Sequence, residues 1–250
     1  MNREFLNLNN REIKPRTKGL TYVIDSGIPL VSLEGILQSA DDYIDVVKFG
    51  WGSGLVTKDI HKKIDLLKKH NIDFYFGGTL FEIAYSQNKI HNLIEWISSF
   101  GTKFFEISDG SIFLEFDKKR SLIKDLSKDF QIIVEIGSKD ADYVLPPSKW
   151  VLEINRLLEI GVHKIMAEGR ESGTAGIYRN TGEVRMGLIE DILASGIPHN
   201  EIIFEAPNKE QQLWFIKNID PNVNLGNINP YEVINLETLR LGLRSETLNI

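Results

Sequence analysis

A closed α/β barrel of eight strand-helix units, (β/α)8, is the fold predicted by three observations. Short β-rich runs recur along the chain, helical patterns separate them, and a length of 250 residues suits eight such units closing into one ring. Parallel neighbours need crossover connections, so the alternation favours a parallel sheet. No Pro/Ser-rich linker or low-complexity tract divides the chain. One TIM-barrel domain over residues 1–250 is therefore expected, with a short polar N-terminal extension over about 1–18. An open, doubly wound sheet is the alternative.

The runs come in order. They are LTYVID (20–25), YIDVVKFG (43–50), DFYFGG (73–78), KFFEIS (103–108), QIIVEIG (131–137), HKIMAEG (163–169), EIIFEA (201–206) and NVNLGN (222–227). Most are rich in β-branched and aromatic residues, and all but EIIFEA end in Gly or a polar residue. In TKDIHKKIDLLKKH, Ile60, Ile64, Leu66 and Leu67 fall near one helical face with lysines opposite. SKWVLEINRLLEIG opens on a capping-type Ser148 and stops at Gly161, a second helix with both ends marked.

Composition narrows the function. Hydrophobic and charged fractions of 42% and 26% are ordinary globular values, which argues against disorder, collagen-like repeats and membrane insertion. A net charge of −6 supplies no footprint for nucleic acid. No apolar run approaches the roughly 18–20 residues of a membrane helix, and MNREFLNLNNREIKPRTKG lacks the apolar stretch of a secretion signal, so a cytoplasmic location with no membrane partner is expected. The absence of cysteine excludes thiol chemistry, disulfides and Cys-ligated zinc.

Chemistry is expected where a barrel exposes its loops, at the carboxyl ends of the strands. Those ends carry Asp25, Lys48, Thr79, Glu106, Ser108, Asp109, Glu135, Lys139, Glu168, Arg170, Glu171, Ser172, Glu205, Asn208, Asn224 and Asn227. Four of them are glutamates closing strand-like runs. Inward-facing glutamates would need a proton, a Lys or Arg, or a divalent cation, and hard oxygen ligands without Cys or strand-end His suit Mg2+ better than zinc. Any one glutamate, taken alone, serves equally well as a structural hydrogen-bond acceptor. Lys48 sits in an otherwise apolar run, and its plain reading is a lysine reaching out of the strand end. Arg170 suits a carboxylate or phosphate, or else a loop salt bridge. The glycine-rich pieces GWGSG, GGT and LGN match no nucleotide fingerprint, while APNK and NLGN occupy the last two loops, where barrels often bind phosphate. The five histidines fall in helices or before strands, which counts against a histidine base. Trp51, following Lys48 and Gly50, is the one tryptophan expected near the mouth.

The stretches DYIDVVKFGWG, FGGTLFE, EISDG, VEIGSKD, EGRESG, IIFEAPNK, NVNL and LETLRLGLRSET run in order from about residue 20 to 248. Together they resemble phosphosulfolactate synthase, a family described as joining sulfite to phosphoenolpyruvate. The resemblance implies a TIM barrel, dependence on Mg2+, (2R)-phospho-3-sulfolactate as product and a homo-oligomer. It implies Lys139 as general acid, in the loop after Glu135-Ile136-Gly137. Glu168 is the second expected catalytic group and, with Glu135, the first choice among the glutamates for touching metal. Glu135, Glu106 and Glu205 are expected to hold metal. Lys48, Arg170, Ser172, Asn208, Asn224 and Asn227 are expected to contact substrate. Another Mg2+-dependent barrel lyase or aldolase acting on a phosphorylated three-carbon acid is the competing expectation, and a non-catalytic barrel that serves as a binding protein is a further one.

Overall fold

The protein is described here by a computed structural model covering residues 5–139 and 145–248. Its strands are β1 (Thr21–Asp25), β2 (Val46–Phe49), β3 (Asp73–Phe76), β4 (Phe104–Ile107), β5 (Gln131–Ile136), β6 (Lys164–Ala167), β7 (Ile202–Glu205) and β8 (Leu225–Ile228). The helices are α1 (Leu30–Ala40), α2 (Ser53–Val56), α3 (Ile60–Lys69), α4 (Gly78–Ser86), α5 (Ile90–Ser98), α6 (Phe116–Leu126), α7 (Pro147–Ile160), α8 (Met186–Ala194), α9 (Lys209–Asn218) and α10 (Val233–Arg240). All ladders are parallel, in the order β3-β2-β1-β8-β7-β6-β5-β4.

β3 and β4 meet at the seam of this nearly closed barrel, where side chains substitute for a ladder. At one end the Thr102 hydroxyl donates to the Phe74 carbonyl and accepts from the Phe104 amide at 3.2 Å. At the other, the Gly78 amide donates to Glu106 Oε1. A Cβ on Gly78 would meet Glu106 Oε1 at 2.8 Å and run into the Ser108 side chain, so only glycine lets the chain pass this close to β4.

Strand periodicity sorts each strand between two cores. Tyr22, Val46, Tyr75, Phe104, Ile133, Met166 and Ile203 fill the lumen. Their neighbours, including Val23, Val47, Phe74, Phe105, Val134, Ile165 and Phe204, pack outward in the core shared with the helices. Both strand faces are thus buried, as a sheet ringed by helices requires. Two residues beyond five of the lumen positions come Lys48, Glu106, Glu135, Glu168 and Glu205, all buried. The period of two that points Val46 or Ile133 inward points these charges inward as well, so the lumen has an apolar floor and a charged layer toward the carboxyl-terminal mouth.

β8 breaks the alternation. Thr21 stands opposite Leu225 but Val23 opposite Ile228, so β8 carries one extra residue. Leu225 and Ile228 both face the outer core. Between them, Asn227 adopts a left-handed conformation with φ of 53°.

The opposite mouth is closed. Arg11 pairs with Glu237 at 3.0 Å and donates to Asn222 and the Gly19 carbonyl, while Lys14 donates to the Asp41 and Ile44 carbonyls. The polar N-terminal segment therefore straps the amino ends of the strands. α7 ends at Gly161, with φ of 90°, as expected, but begins at Pro147, and Ser148 is not its cap. Proline replaces the expected cap because the first helical turn needs no amide donor at that position. No helix among the described residues is long and apolar enough to cross a membrane.

Candidate active site

At the carboxyl-terminal mouth lies a cavity of about 220 Å³ whose walls include Lys48, Trp51, Thr79, Glu135, Lys139, Glu168, Arg170, Glu205 and Asn227. It is smaller than the roughly 300–1,000 Å³ of pockets for drug-sized ligands, which suits substrates of a few carbons. Larger surface hollows exist, but none of them carries this convergence of buried charge.

Lys48 organises the lower half. Its Nζ lies 3.1 Å from Glu205 Oε1, 3.3 Å from Glu135 Oε2 and 3.4 Å from Glu106 Oε1. Burial alone would lower this ammonium, but the surrounding carboxylates outweigh it and hold the group well above its ordinary value. The plain reading of Lys48, an ammonium reaching out to solvent, is replaced by an inward one because the lumen supplies three acids from three strands.

Lys139 organises the upper half. Its Nζ is 3.0 Å from Glu82 Oε1, 3.1 Å from Glu135 Oε1 and 3.0 Å from Ser108 Oγ. Ser108 Oγ in turn lies 2.7 Å from both Glu82 Oε1 and Glu135 Oε1, so its one proton serves one acid while Lys139 donates to its oxygen. Burial works against the Lys139 charge, yet Glu135, Glu168 and Glu82 raise its pKa above the ordinary lysine value. Burial likewise pushes Glu135 up, but Lys139 and Lys48 reverse the sign and keep it ionised far below the usual carboxylate range.

Glu168 behaves oppositely. Burial first, and then Glu135 and Glu205, raise its pKa well above the ordinary value, with a hydrogen bond to Glu135 adding to the shift. Its Oε1 accepts from the Arg170 amide at 2.6 Å, whereas Oε2 is buried without a donor. Two carboxyls in contact require a proton or a cation between them. Arg170 itself, at φ of 58°, stands exposed at the lip.

Glu106 is also pushed up by burial, to about 7, despite the opposing charge of Lys48. The sign follows from linkage: a raised acid contributes stability that is complete below its ordinary 4.5 and is lost as pH rises through about 7. Thermal midpoints measured across that window should fall less steeply for Glu106→Gln than for the wild type. Parallel curves would show that Glu106 does not titrate there.

The other expected site residues divide. Lys48, Glu135, Lys139, Glu168, Arg170, Glu205 and Asn227 share the cavity. Glu106 lies beneath it, its Oε1 shared by Gly78 and Lys48. The three expected metal ligands, Glu106, Glu135 and Glu205, do converge, and the cation at their centre is Lys48 Nζ.

Three expected substrate contacts, Asn224, Ser172 and Asn208, lie outside the cavity wall. Asn224 precedes β8 at the closed end, where its side chain accepts from the Leu20 amide and donates to the Asn200 and Ile202 carbonyls. Strand β8 begins later than NVNLGN suggests, which carries Asn224 to the wrong mouth. Ser172 is exposed and bonded to Thr174, outside the cavity wall. Asn208 caps α9 in a box with Gln211 and donates to the Ser172 carbonyl. The same box occupies the Asn208 amide, within the APNK loop, at 3.2 Å. Asp25 and Asp109 are likewise taken up, by Lys63 and Lys119 at 2.6 Å each.

Glu82 was missing from the expected set because it lies on α4 and not at a strand end. A signal existed: it is the only charged residue of GTLFEIAYS, four positions after Gly78 and therefore on the face that touches β4.

Residues 9–246 match the sequence profile of the family described as (2R)-phospho-3-sulfolactate synthase (ComA). The phosphosulfolactate synthase of Bacillus subtilis is 46% identical over 249 residues, covering 99% of both chains. That of Methanocaldococcus jannaschii is 42% identical over 237 residues, covering 92% of this chain and 94% of the relative. Among solved structures, the YdjI aldolase of Escherichia coli K12 superposes with a TM-score of 0.58 at 12% identity, covering 86% of this chain and 76% of that one. Orotidine 5'-phosphate decarboxylase of Pyrococcus horikoshii OT3 gives 0.54 at 13% identity, covering 92% and 100%. At such identities these neighbours speak for the barrel alone, whereas the profile and the full-length relatives decide the family: this chain is an enzyme of the phosphosulfolactate synthase family.

Proposed function

We propose that this enzyme joins sulfite to phosphoenolpyruvate, with Mg2+ as cofactor, to form (2R)-phospho-3-sulfolactate. The observation that carries the reading is Lys139, a charged donor at the wall of a small cavity, held by Glu82, Glu135 and Ser108.

In this reaction the sulfur lone pair forms a C–S bond to the methylene carbon, and the alkene pair moves toward the carboxylate to leave an aci-carboxylate. The proton on Lys139 Nζ then passes to the adjacent carbon, leaving a neutral amine that regains a proton from solvent. The phosphate ester stays intact throughout. Because both substrates are anions, positive charge must already be in place. Arg170 at the lip is placed to bind phosphate or sulfite, and Lys48 supplies a fixed charge beneath.

Mg2+ fits on a specific observation, the Glu168 carboxyl, which meets Glu135 and has a buried oxygen without a donor. No three acids or histidines are grouped as a metal cage among the described residues. Mg2+ keeps several waters and binds through one or two carboxylates plus substrate oxygens, so a single free carboxyl oxygen is enough for the protein's share. Glu168 would hold it. When bound, it would supply Lewis-acid stabilisation of the substrate carboxylate as charge builds there.

Incubating the protein with phosphoenolpyruvate, sulfite and Mg2+ should yield a product with the mass of phosphosulfolactate and no free phosphate. Release of phosphate, or no sulfonated product, would remove the reading.

A further inference from the structure

Asn227 combines three features that backbone architecture alone does not call for. It occupies the extra position of the β8 bulge, it is a non-glycine residue at φ of 53°, and its Oδ1 is buried without a hydrogen-bond partner in a side chain only 5% exposed. Left-handed backbone is uncommon outside glycine, with asparagine among the residues that tolerate it. A buried carboxamide oxygen without a partner adds a desolvation cost. The chain keeps both costs where glycine would remove them.

The bulge explains the placement. Without it, β8 would alternate Leu225 out, Gly226 in and Asn227 out. With it, Leu225 and Ile228 both remain in the outer core, Gly226 packs against Met166 and Ile203 in the lumen, and Asn227 joins the cavity wall. Bulges beside active sites commonly re-aim a side chain in this way.

The chemistry of the oxygen selects its partner. Oδ1 is an acceptor, and the ionised phosphate, carboxylate and sulfite groups of the proposed substrates are acceptors too, so none of them can satisfy it. A cation can, directly or through one of its bound waters. Glu168, which also has a buried oxygen without a donor, lines the same cavity of about 220 Å³. One carboxylate and one neutral amide oxygen are hard ligands of the kind a divalent cation takes when substrate supplies the rest.

We propose that Asn227 Oδ1 is, with Glu168, the protein's contribution to the divalent-cation site, and that the β8 bulge exists to place it there. This rests on the Mg2+-dependent reading above. It also leaves Glu106, Glu135 and Glu205 to Lys48, whose ammonium already lies against all three.

The test is titration of the full-length protein with Mn2+, reading free ion by electron paramagnetic resonance, with and without phosphoenolpyruvate. Asn227→Gly relieves the left-handed strain, so its thermal midpoint should not fall below that of the wild type. Its Mn2+ affinity should nevertheless drop about tenfold or more. Asn227→Asp keeps an oxygen in place and should bind Mn2+ as tightly as the wild type or more tightly. Three results would overturn the assignment: wild-type affinity in Asn227→Gly, an Asn227→Asp protein as weak as the glycine variant, or a wild type that binds no Mn2+ under either condition. Product formation by the wild type is scored separately, so an enzyme that makes phosphosulfolactate while Asn227→Gly binds Mn2+ normally would sink this assignment and leave the function standing.

Discussion

Replacing Lys139 with alanine will slow formation of phosphosulfolactate by roughly 10²–10⁴-fold, the range that general acid-base groups contribute. The alanine variant also leaves Glu82 and Glu135 without their shared ammonium, so part of the loss would reflect a disturbed site. Lys139→Arg separates the two effects. Arginine keeps a positive charge against both acids but does not release a proton at any accessible pH. It should therefore hold the thermal midpoint near the wild-type value while activity stays low. Wild-type turnover by the arginine variant would end the general-acid assignment, and the charge alone would then account for the role of this residue.

Lys48→Met will give the largest loss of stability. The substitution nearly conserves volume but strips the one cation that Glu106, Glu135 and Glu205 share in the lumen. Breaking a buried ion pair by removing one partner costs about 3–5 kcal/mol. For a chain of this size, that corresponds to a fall of about 6–20 °C in thermal midpoint. The direction with pH is fixed by linkage. Without Lys48 the native carboxylates hold protons more tightly, so the deficit is greatest above the ordinary carboxylate range and shrinks as pH falls. Differential scanning calorimetry between pH 5 and 8 reads this directly. An unchanged midpoint at neutral pH would mean that the acids relax toward solvent and that the charged layer is less rigid than its geometry implies.

The two lysines differ in what surrounds their charge. Lys48 is ringed by acids and nine-tenths buried, with its charge spent on holding the layer together. Lys139 reaches the cavity from the loop after β5, where its ammonium is partnered yet accessible. Glu135 touches both, one oxygen to each, so a change at either lysine should be felt by the other.

The candidate site was partly legible before any coordinates. The acids Glu106, Glu135, Glu168 and Glu205 each follow an apolar lumen residue by two positions, and that period turns them inward whatever the neighbouring strands do. Errors arose where the local rule has an exception. Asn224 lies at the other mouth because β8 starts late, and the left-handed turn at Asn227 leaves no mark in a run as short as NVNLGN. Ser172 and Asn208 look the same in sequence as polar residues that face a ligand, since loops also spend such side chains on their own backbone.

By itself, then, the sequence determined the alternation of strand and helix, the inward phase of the acids and the family, because each depends on residues near one another in the chain or on motifs read in order. Only the tertiary structure decided which cation each acid would meet. Lys48 and Glu205 are 157 positions apart, and Glu82 approaches Lys139 from a helix 57 positions upstream. Such partners are chosen by closure of the ring, which brings the ends of distant strands within about 3 Å, and a low-dielectric interior favours an acid that meets a cation there.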